Sequence, residues 1–286
     1  MKIIIYFIEY IVVKILFFIF TFIGYKNSSN LGFLIGKYFG PLFRSKSLIK
    51  NNLIQANISD KNNFDLIATN VLGNYGRIFS EYVFLKDFRN EKLANYISIN
   101  GQKYLDDIIK KQKKVVFISG HFNNFELMAM QLEKYGVNLT AIYRPLNNIF
   151  LNKTMEKIRT HFICRKQIKK GRSGSRELVK NFKEGSSIAL MIDQRVREGI
   201  SVPFFQKSCS TTTIPAQLVK KYECEIVPIY IERKKNYFFE MTVSQPLVFN
   251  KSLSIDDISV ELNKILEKMI LKNLDQWIWT HNRWQK

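Results

Sequence analysis

His121 and Glu126 are the side chains whose types and spacing could do chemistry, in the stretch Gly120-His121-Phe122-Asn123-Asn124-Phe125-Glu126. Inside one helix, residues five apart would be rotated by about 140°, but a turn between them allows them to meet. A carboxylate bonded to one imidazole nitrogen would fix the tautomer and leave the other nitrogen to take a proton from a hydroxyl. The spacing predicts a His-Glu dyad without a side-chain nucleophile. The alternative is that His121 packs a strand end and Glu126 stabilises a helix N-terminus.

The flanking residues predict the elements that position this pair. Val115–Ser119 is a short, β-branched apolar run, which indicates a buried strand, and Gly120 would allow the turn that ends it. His121 would then stand at the carboxyl tip of the strand. Asn123 or Asn124 could cap the helix that follows.

From Ile97 onward, apolar runs alternate with helical segments. The alternation predicts crossover units, and therefore an α/β fold with a mixed, largely parallel sheet flanked by helices. The predicted strands are Val115–Ser119, Leu139–Tyr143, Ser187–Asp193 and Glu225–Ile231, with an extra edge strand at Tyr237–Val243. The predicted helices lie near 124–135, 147–162, 173–183 and 213–222, with a further helix at 255–272.

Polar residues follow three of these strands. His121 comes after the first, Arg144 after the second, and Asp193 ends the third. Open α/β sheets bind ligands at the carboxyl ends of their strands. The pattern therefore predicts a functional site at this edge, with Arg144 and Asp193 at its border.

The N-terminal stretch Ile3–Ile23 is mostly Ile, Phe, Val and Leu, and as a helix it could cross roughly 30 Å of hydrocarbon. Glu9 and Lys14 interrupt it, so a helix lying at the membrane interface is the alternative. A cleaved signal peptide is less favoured, because no small-x-small site follows. Basic residues are concentrated downstream, which predicts a cytoplasmic body. We expect an anchor at residues 1–26 and a catalytic domain at 27–286.

The chain is strongly basic, with 44 Lys and Arg against 24 Asp and Glu, a net charge of +20 and a pI near 9.8. This balance predicts an anionic partner, although a general lysine bias is an alternative. No recognisable nucleic-acid-binding module accompanies the charge, so nucleic acid is not expected.

Cys164, Cys209 and Cys224 form no CxxC pair, and neither a disulfide framework nor a metal site is expected.

Further motifs extend the pattern along the chain. They are Tyr143-Arg144-Pro145, Asp193-Gln194, Phe204-Phe205, Val227-Pro228 and Trp279-x-His281-x-Arg283-Trp284. With Gly-His-x4-Glu, this ordered set resembles the bacterial lipid A late acyltransferases, the lauroyl and myristoyl transferases of the lysophospholipid acyltransferase superfamily. Related glycerolipid acyltransferases usually carry Asp where Glu126 stands, so the glutamate favours the lipid A branch. The charged run Arg195-Val196-Arg197-Glu198 is a departure from the pattern.

The resemblance implies a mechanism. His121 would deprotonate a hydroxyl of a lipid A precursor, Glu126 would orient the imidazole, and the hydroxyl would attack the thioester of an acyl carrier protein, with acyl-coenzyme A as a possible donor. No acyl-enzyme and no cofactor would be needed. By position, Arg159 would hold an acceptor phosphate or place the dyad, with Arg144 and Asp193 as further substrate-side residues.

The resemblance also implies a place in the cell, the inner membrane with the catalytic domain facing the cytoplasm. A lysophospholipid or an ornithine lipid is the alternative acceptor. A non-catalytic membrane scaffold would explain the anchor but not the polar strand ends.

Three other features lead to weaker expectations. Lys110, Lys111, Lys113 and Lys114 stand just before the strand of His121 and predict a docking surface for an acidic donor, with a solvated helix end or a lipid contact as alternatives. The C-terminal tryptophans suit core packing or a membrane-interface belt as well as substrate contact. The glycine-rich loop 171–175 lacks the ending of a phosphate loop, and no strand is expected directly before it.

Overall fold

A computed structural model describes residues 2–284. Within that range the α-helices are α1 (Lys2–Ile23), α2 (Tyr25–Phe43), α3 (Lys46–Gln55), α4 (Phe64–Glu81), α5 (Leu85–Arg89), α6 (Gln102–Lys110), α7 (Glu126–Tyr135), α8 (Ile149–Ile158), α9 (Arg172–Lys183), α10 (Ile214–Tyr222) and α11 (Ile255–Lys272). A π-helical turn, Arg159–Ile163, extends α8.

The strands form a mixed, mostly parallel sheet with helices packed against it, as the alternating pattern predicts. They are β1 (Ile97–Asn100), β2 (Val116–Ser119), β3 (Leu139–Tyr143), β4 (Lys166–Lys169), β5 (Ser187–Met191), β6 (Ile200–Phe204), β7 (Lys207–Thr211), β8 (Ile226–Lys234) and β9 (Phe238–Val243). Seven of them lie in the order β1-β9-β8-β2-β5-β3-β4. Within this sheet β8 and β9 are antiparallel and the other pairs are parallel, while β6 and β7 form a separate hairpin.

Two details of the predicted sheet are wrong. The strand predicted at the edge, Tyr237–Val243, is β9, and it lies between β8 and β1. The true edge strands, β1 and β4, are four residues long and contain two and three polar residues, so their sequences carry little apolar signal. Because β4 ends at Lys169, a strand does precede the glycine-rich loop 171–175, contrary to expectation.

The helical layer is built on a close contact between α2 and α4. A Cβ on Gly76 would lie 1.9 Å from the carbonyl oxygen of Gly32, and a Cβ on Gly36 would lie 2.2 Å from that of Leu72. Glycine at these positions lets the two backbones touch without side chains between them. The small residues of α2 therefore mark the place where the two helices pack closely.

Helix α1 is long and apolar enough to cross a membrane, and most of its apolar side chains are exposed. The exception is Phe20, which is fully buried and lies edge-on to Phe79 of α4. Glu9, which interrupts the apolar run, accepts a hydrogen bond from Asn148 Nδ2 at 2.9 Å. Asn148 also caps α8, so α1 meets the body beside the carboxyl edge of the sheet.

Candidate active site

The turn that carries His121 follows the fully buried strand β2, which lies between β5 and β8. Because β5 runs parallel to β2, Asp193, two residues past the end of β5, comes beside His121. Gly120 lets Asp193 and Phe122 come close to the backbone of the turn, since a Cβ there would lie 3.2 Å from Asp193 Oδ2 and 2.9 Å from the ring of Phe122. Its own backbone is not left-handed. The predicted strand end and the predicted convergence of His121 and Asp193 are both present.

Asp193 is the carboxylate that holds the imidazole. Its Oδ1 lies 2.8 Å from His121 Nδ1, and its Oδ2 accepts the backbone N–H of His121 at 2.7 Å. Oδ2 also accepts the indole N–H of Trp277 at 2.9 Å. Asp193 is completely buried, and the His121 side chain is 20% exposed. With Nδ1 donating to Asp193, Nε2 of neutral His121 is left with a free lone pair.

Burial and charge act in opposite directions on this pair. Burial alone would lower the pKa of His121, but the charge of Asp193 and its hydrogen bond to the ring outweigh it and raise that pKa above its ordinary value. Burial alone would raise the pKa of Asp193, but the charge of His121 and the three N–H donors lower it. The imidazole is therefore a stronger base than a free histidine.

Glu126 lies in the first turn of α7, as expected. The prediction that it accepts a hydrogen bond from His121 is wrong. Its Oε1 accepts the phenol of Tyr82 and, at 3.1 Å, the Nε–H of Arg159. The turn before α7 passes through a left-handed residue, Asn123 with φ 42°, and the helix begins without a side-chain cap from either asparagine. The glutamate is directed to the 3₁₀ turn Tyr82–Phe84, which follows α4, and to the π-helical turn, although its charge still raises the pKa of His121.

Arg159 begins the π-helical turn and joins the site through Glu126. Its guanidinium also lies over the ring of Tyr143, at 5.6 Å from the ring centre. Burial alone would lower the pKa of Arg159, but the charge of Glu126 and its hydrogen bond to the guanidinium raise it, so the side chain remains charged. Within residues 2–284, its Nη1 is buried without a hydrogen-bond partner. One N–H group of Arg159 is thus available to a bound molecule.

Arg144 stands at the end of β3 and is exposed, with no ion pair or hydrogen bond inside the described chain. It lies at the predicted edge, but outside the group formed by His121, Asp193, Glu126 and Arg159. Lys170, which follows β4, does act on the site: its positive charge lowers the pKa of both His121 and His281. Arg195 donates its backbone N–H to His281 Nε2 at 3.0 Å.

A cavity of about 30 Å³ opens beside His121. Its walls are α4 and the C-terminal segment, and most of its lining is apolar: Val71, Tyr75, Ile78, Phe125, Trp277 and Ile278. A larger cavity, about 290 Å³, lies between α3 and the C-terminal residues Asn282 and Trp284, and His121 does not line it. The smaller cavity is the one connected to the base.

The lysine cluster at 110–114 lies at the opposite edge of the sheet from His121, a position that does not favour its predicted role in donor docking. These residues precede the amino end of β2, and the strand, about 13 Å long at ~3.3 Å per residue, separates them from His121. Lys111 and Lys113 are also paired with Asp107 at 2.5 and 3.5 Å, and Lys113 with Glu225 at 2.8 Å. These observations favour the two alternatives for the cluster, a solvated helix end or a lipid contact.

Three residues of the site, Tyr82, Lys170 and Trp277, were not predicted, because no local pattern shows which distant elements come close to His121. For the C-terminal tryptophans, substrate contact was one of three expectations, and a contact with Asp193 was not among them. Among the described residues, no group of three His, Cys, Asp or Glu could hold a metal ion, and Cys164, Cys209 and Cys224 are buried and free.

Comparison with known proteins gives consistent matches. The family model for the bacterial lipid A biosynthesis acyltransferases matches residues 1–286. The lipid A biosynthesis lauroyltransferase of Escherichia coli (strain K12) is 23% identical over 206 residues, which cover 68% of this chain and 64% of that protein. A lipid A biosynthesis acyltransferase of Haemophilus influenzae is 22% identical over 234 residues, covering 79% and 72%.

The match to the Escherichia coli protein thus covers slightly less than two thirds of its length. Among solved structures, the 1-acyl-sn-glycerophosphate (LPA) acyltransferase PlsC from Thermotoga maritima aligns over 98% of this chain and 100% of its own. Its sequence identity is 13% and the TM-score is 0.43.

Proposed function

Because the chain belongs to the bacterial lipid A biosynthesis acyltransferase family, we propose that it transfers a fatty acyl group from a thioester donor to a hydroxyl of a lipid A precursor. The observation that carries the proposal is the state of His121. Nδ1 of His121 is hydrogen-bonded to the buried Asp193, the pKa of His121 is raised, and Nε2 of His121 is left free beside a cavity. These are the requirements of a general base.

In the proposed reaction, Nε2 of His121 takes the proton of the acceptor hydroxyl while the hydroxyl oxygen attacks the thioester carbonyl carbon. The new carbon–oxygen bond forms, and the carbonyl π electrons move to its oxygen. When they return, the carbon–sulfur bond breaks and the thiolate takes the proton from the imidazolium. The products are an ester and a thiol. Transfer is direct because, within the described residues, no Ser, Thr or Cys side chain is hydrogen-bonded to His121.

The other site residues support this step in different ways. Asp193 fixes the tautomer and stabilises the imidazolium that forms. Glu126 holds Arg159, and the unpaired Nη1 of Arg159 is suited to an anionic oxygen of the substrate, because guanidinium groups bind phosphate and carboxylate oxygens well. In this mechanism Glu126 acts through Arg159 and through its charge on His121.

For the donor, we propose an acyl carrier protein, which docks at the carboxyl edge of the sheet. Arg144, Lys170 and Arg195, defined here as the strand-end cations, follow three adjacent strands at that edge. None of the three side chains takes part in an ion pair within residues 2–284, so their charge is available to an acidic partner. Acyl-coenzyme A, which is much smaller, is the alternative donor.

We also propose that α1 anchors the protein in the inner membrane, with residues 27–286 as the catalytic domain in the cytoplasm. The exposed apolar surface of α1 and the basic residues that follow it support this arrangement. The contact of Glu9 with Asn148 would hold the carboxyl edge of the sheet close to the membrane, where a lipid acceptor is found.

The proposal is tested with purified protein, an acyl carrier thioester and three acceptors in parallel: a lipid A precursor, a lysophospholipid and an ornithine lipid. Mass spectrometry of the products should show acylation of the lipid A precursor, and the His121→Ala protein should be inactive. Transfer to another acceptor alone would overturn the assigned substrate. Normal turnover by His121→Ala would overturn the mechanism.

A further inference from the structure

Trp277 lies outside the turn and strands that carry His121 and Asp193, yet it is hydrogen-bonded directly to Asp193. Its indole N–H donates to Asp193 Oδ2 at 2.9 Å, and the side chain is 2% exposed. The other two donors to Asp193, the backbone and ring N–H groups, belong to His121 itself. Among the described residues, Trp277 is therefore the donor that ties this carboxylate to the rest of the molecule.

The same segment also holds the backbone of the His121 turn. Phe122 and Trp277 form an isolated antiparallel bridge, and the backbone N–H of Asn123 donates to the carbonyl of Gln276 at 3.0 Å. Asn123 Nδ2 donates to Gln276 Oε1 at 2.6 Å. Asn123 is the residue with φ 42°, a conformation that needs support from its neighbours. The segment at 276–277 thus contacts both the turn and the carboxylate that positions the base.

We propose that Trp277 is a positioning residue for the acyl transfer reaction, which holds Asp193, and through it the imidazole of His121, in the orientation that the base requires. The inference rests on the proposed function, in which His121 is the base. It gives the C-terminal aromatic segment a part in catalysis in place of core packing or a membrane-interface belt.

Removing the indole N–H has a predictable electrostatic result. A carboxylate that loses one of three donors is less stabilised as an anion and attracts the proton on His121 Nδ1 more strongly. The pKa of His121 should rise, and the imidazole should be less well oriented. We expect kcat to fall on the order of tenfold, with KM nearly unchanged because Trp277 is not proposed to bind substrate.

Trp279 provides a matched control within the same segment. It is fully buried, its ring centre lies 4.7 Å from that of Trp277, and its indole N–H donates to the carbonyl of Leu274 at 2.5 Å. Trp279→Phe therefore removes an equivalent buried N–H and a similar volume without removing a donor to Asp193. A loss due to packing alone would affect both variants alike.

The experiment compares full-length Trp277→Phe and Trp279→Phe by kcat, KM, the pH dependence of kcat/KM, the NMR titration of His121, and thermal unfolding. Trp277→Phe should lower kcat and move the acid limb to higher pH, while Trp279→Phe should leave the pH profile in place. If both variants have the same pH profile as the wild type, the proposal is overturned.

Two further measurements keep the outcome decisive. Should Trp277→Phe fail to fold, benzothienylalanine at position 277 keeps the shape of the indole and replaces its N–H by sulfur, and the same shift is expected. The NMR titration of His121 needs no substrate, so it tests Trp277 even if transfer to a lipid A precursor is not found.

Discussion

At the scale of single residues, two carboxylates influence His121 in different ways. Asp193 contacts the ring, is completely buried and is held by N–H donors alone. Glu126 affects the ring through its charge, while its oxygens are used by Tyr82 and Arg159. Variants at the two positions should therefore differ in their kinetic and pH behaviour.

Asp193→Asn keeps the shape of the side chain and removes the charge that raises the pKa of His121. That pKa should fall, so the acid limb of kcat/KM should move to lower pH, in the opposite direction to Trp277→Phe. Turnover at the optimum should fall on the order of a hundredfold or more, because the imidazolium loses its counter-charge. An acid limb that stays in place would contradict the role of Asp193.

Glu126→Ala should lose on the order of a hundredfold in turnover, because Arg159 loses its partner. Glu126→Gln, which keeps the shape, should show most of the same loss. Glu133→Gln is the matched control, since Glu133 lies on the same helix and pairs with Arg89 at 2.7 Å, with similarly limited exposure. Equal kinetics for the Glu126→Gln and Glu133→Gln proteins would show that Glu126 has a structural role alone.

At the scale of elements, the contact between α2 and α4 depends on glycine. In Gly76→Ala the new Cβ would meet the backbone of Gly32 and Gly36, at 1.9 and 2.7 Å, so the helices must separate. Overpacking of this kind destabilises proteins by ~1–3 kcal/mol or more. Thermal unfolding should show a clear drop for Gly76→Ala. Gly40→Ala, whose Cβ would lie 3.1 Å from the Cβ of Leu72 and touch no backbone atom that closely, should show a smaller one.

Deletion of α1 tests the proposed anchor. The deletion should end at Ile23 rather than at residue 26, because Tyr25 is buried and its hydroxyl donates to the carbonyl of Tyr237 at 2.7 Å. We expect the shortened protein to move from membranes toward the soluble fraction, and to lose more activity on membrane lipid than on a dispersed acceptor. If it stays on membranes after a high-salt wash, the exposed apolar residues of α2 must also bind lipid.

At the scale of the whole molecule, a net charge of +20 favours an acidic donor, but its distribution decides where that donor can dock. The carboxyl edge carries the strand-end cations next to His121. The opposite edge carries the lysine cluster, which is partly neutralised by Asp107 and Glu225. In the proposed mechanism the thioester must reach His121, so the carboxyl edge is the expected docking surface.

Charge reversal at the two edges distinguishes these surfaces. The Lys170→Glu, Arg195→Glu protein should show a higher KM for an acyl carrier donor and little change in KM for acyl-coenzyme A. The Lys110→Glu, Lys111→Glu protein should resemble the wild type. The difference should fade as salt rises, because charge attraction is screened over about 10 Å at 0.1 M. An equal effect on both donors would assign the strand-end cations to the acceptor instead.

The sequence by itself determined the strand-turn-helix around His121, the largely parallel sheet, the apolar helix α1 and the family. These follow from local patterns: a β-branched run, alternation of strands and helices, a long apolar stretch and an ordered set of motifs. It also indicated that His121 and Asp193 share one edge of the sheet, because carboxyl ends of parallel strands point the same way.

The tertiary structure decided which groups touch. Whether His121 pairs with Glu126 or with Asp193 depends on the order of strands and on the direction of a turn through Asn123. The spacing of the residues along the chain predicts neither of these. The placement of Tyr82 and Trp277 depends on how the turn after α4 and the C-terminal segment pack around the site, across 44 and 84 residues of chain from their carboxylate partners. Such contacts arise from long-range packing, so no local pattern encodes them.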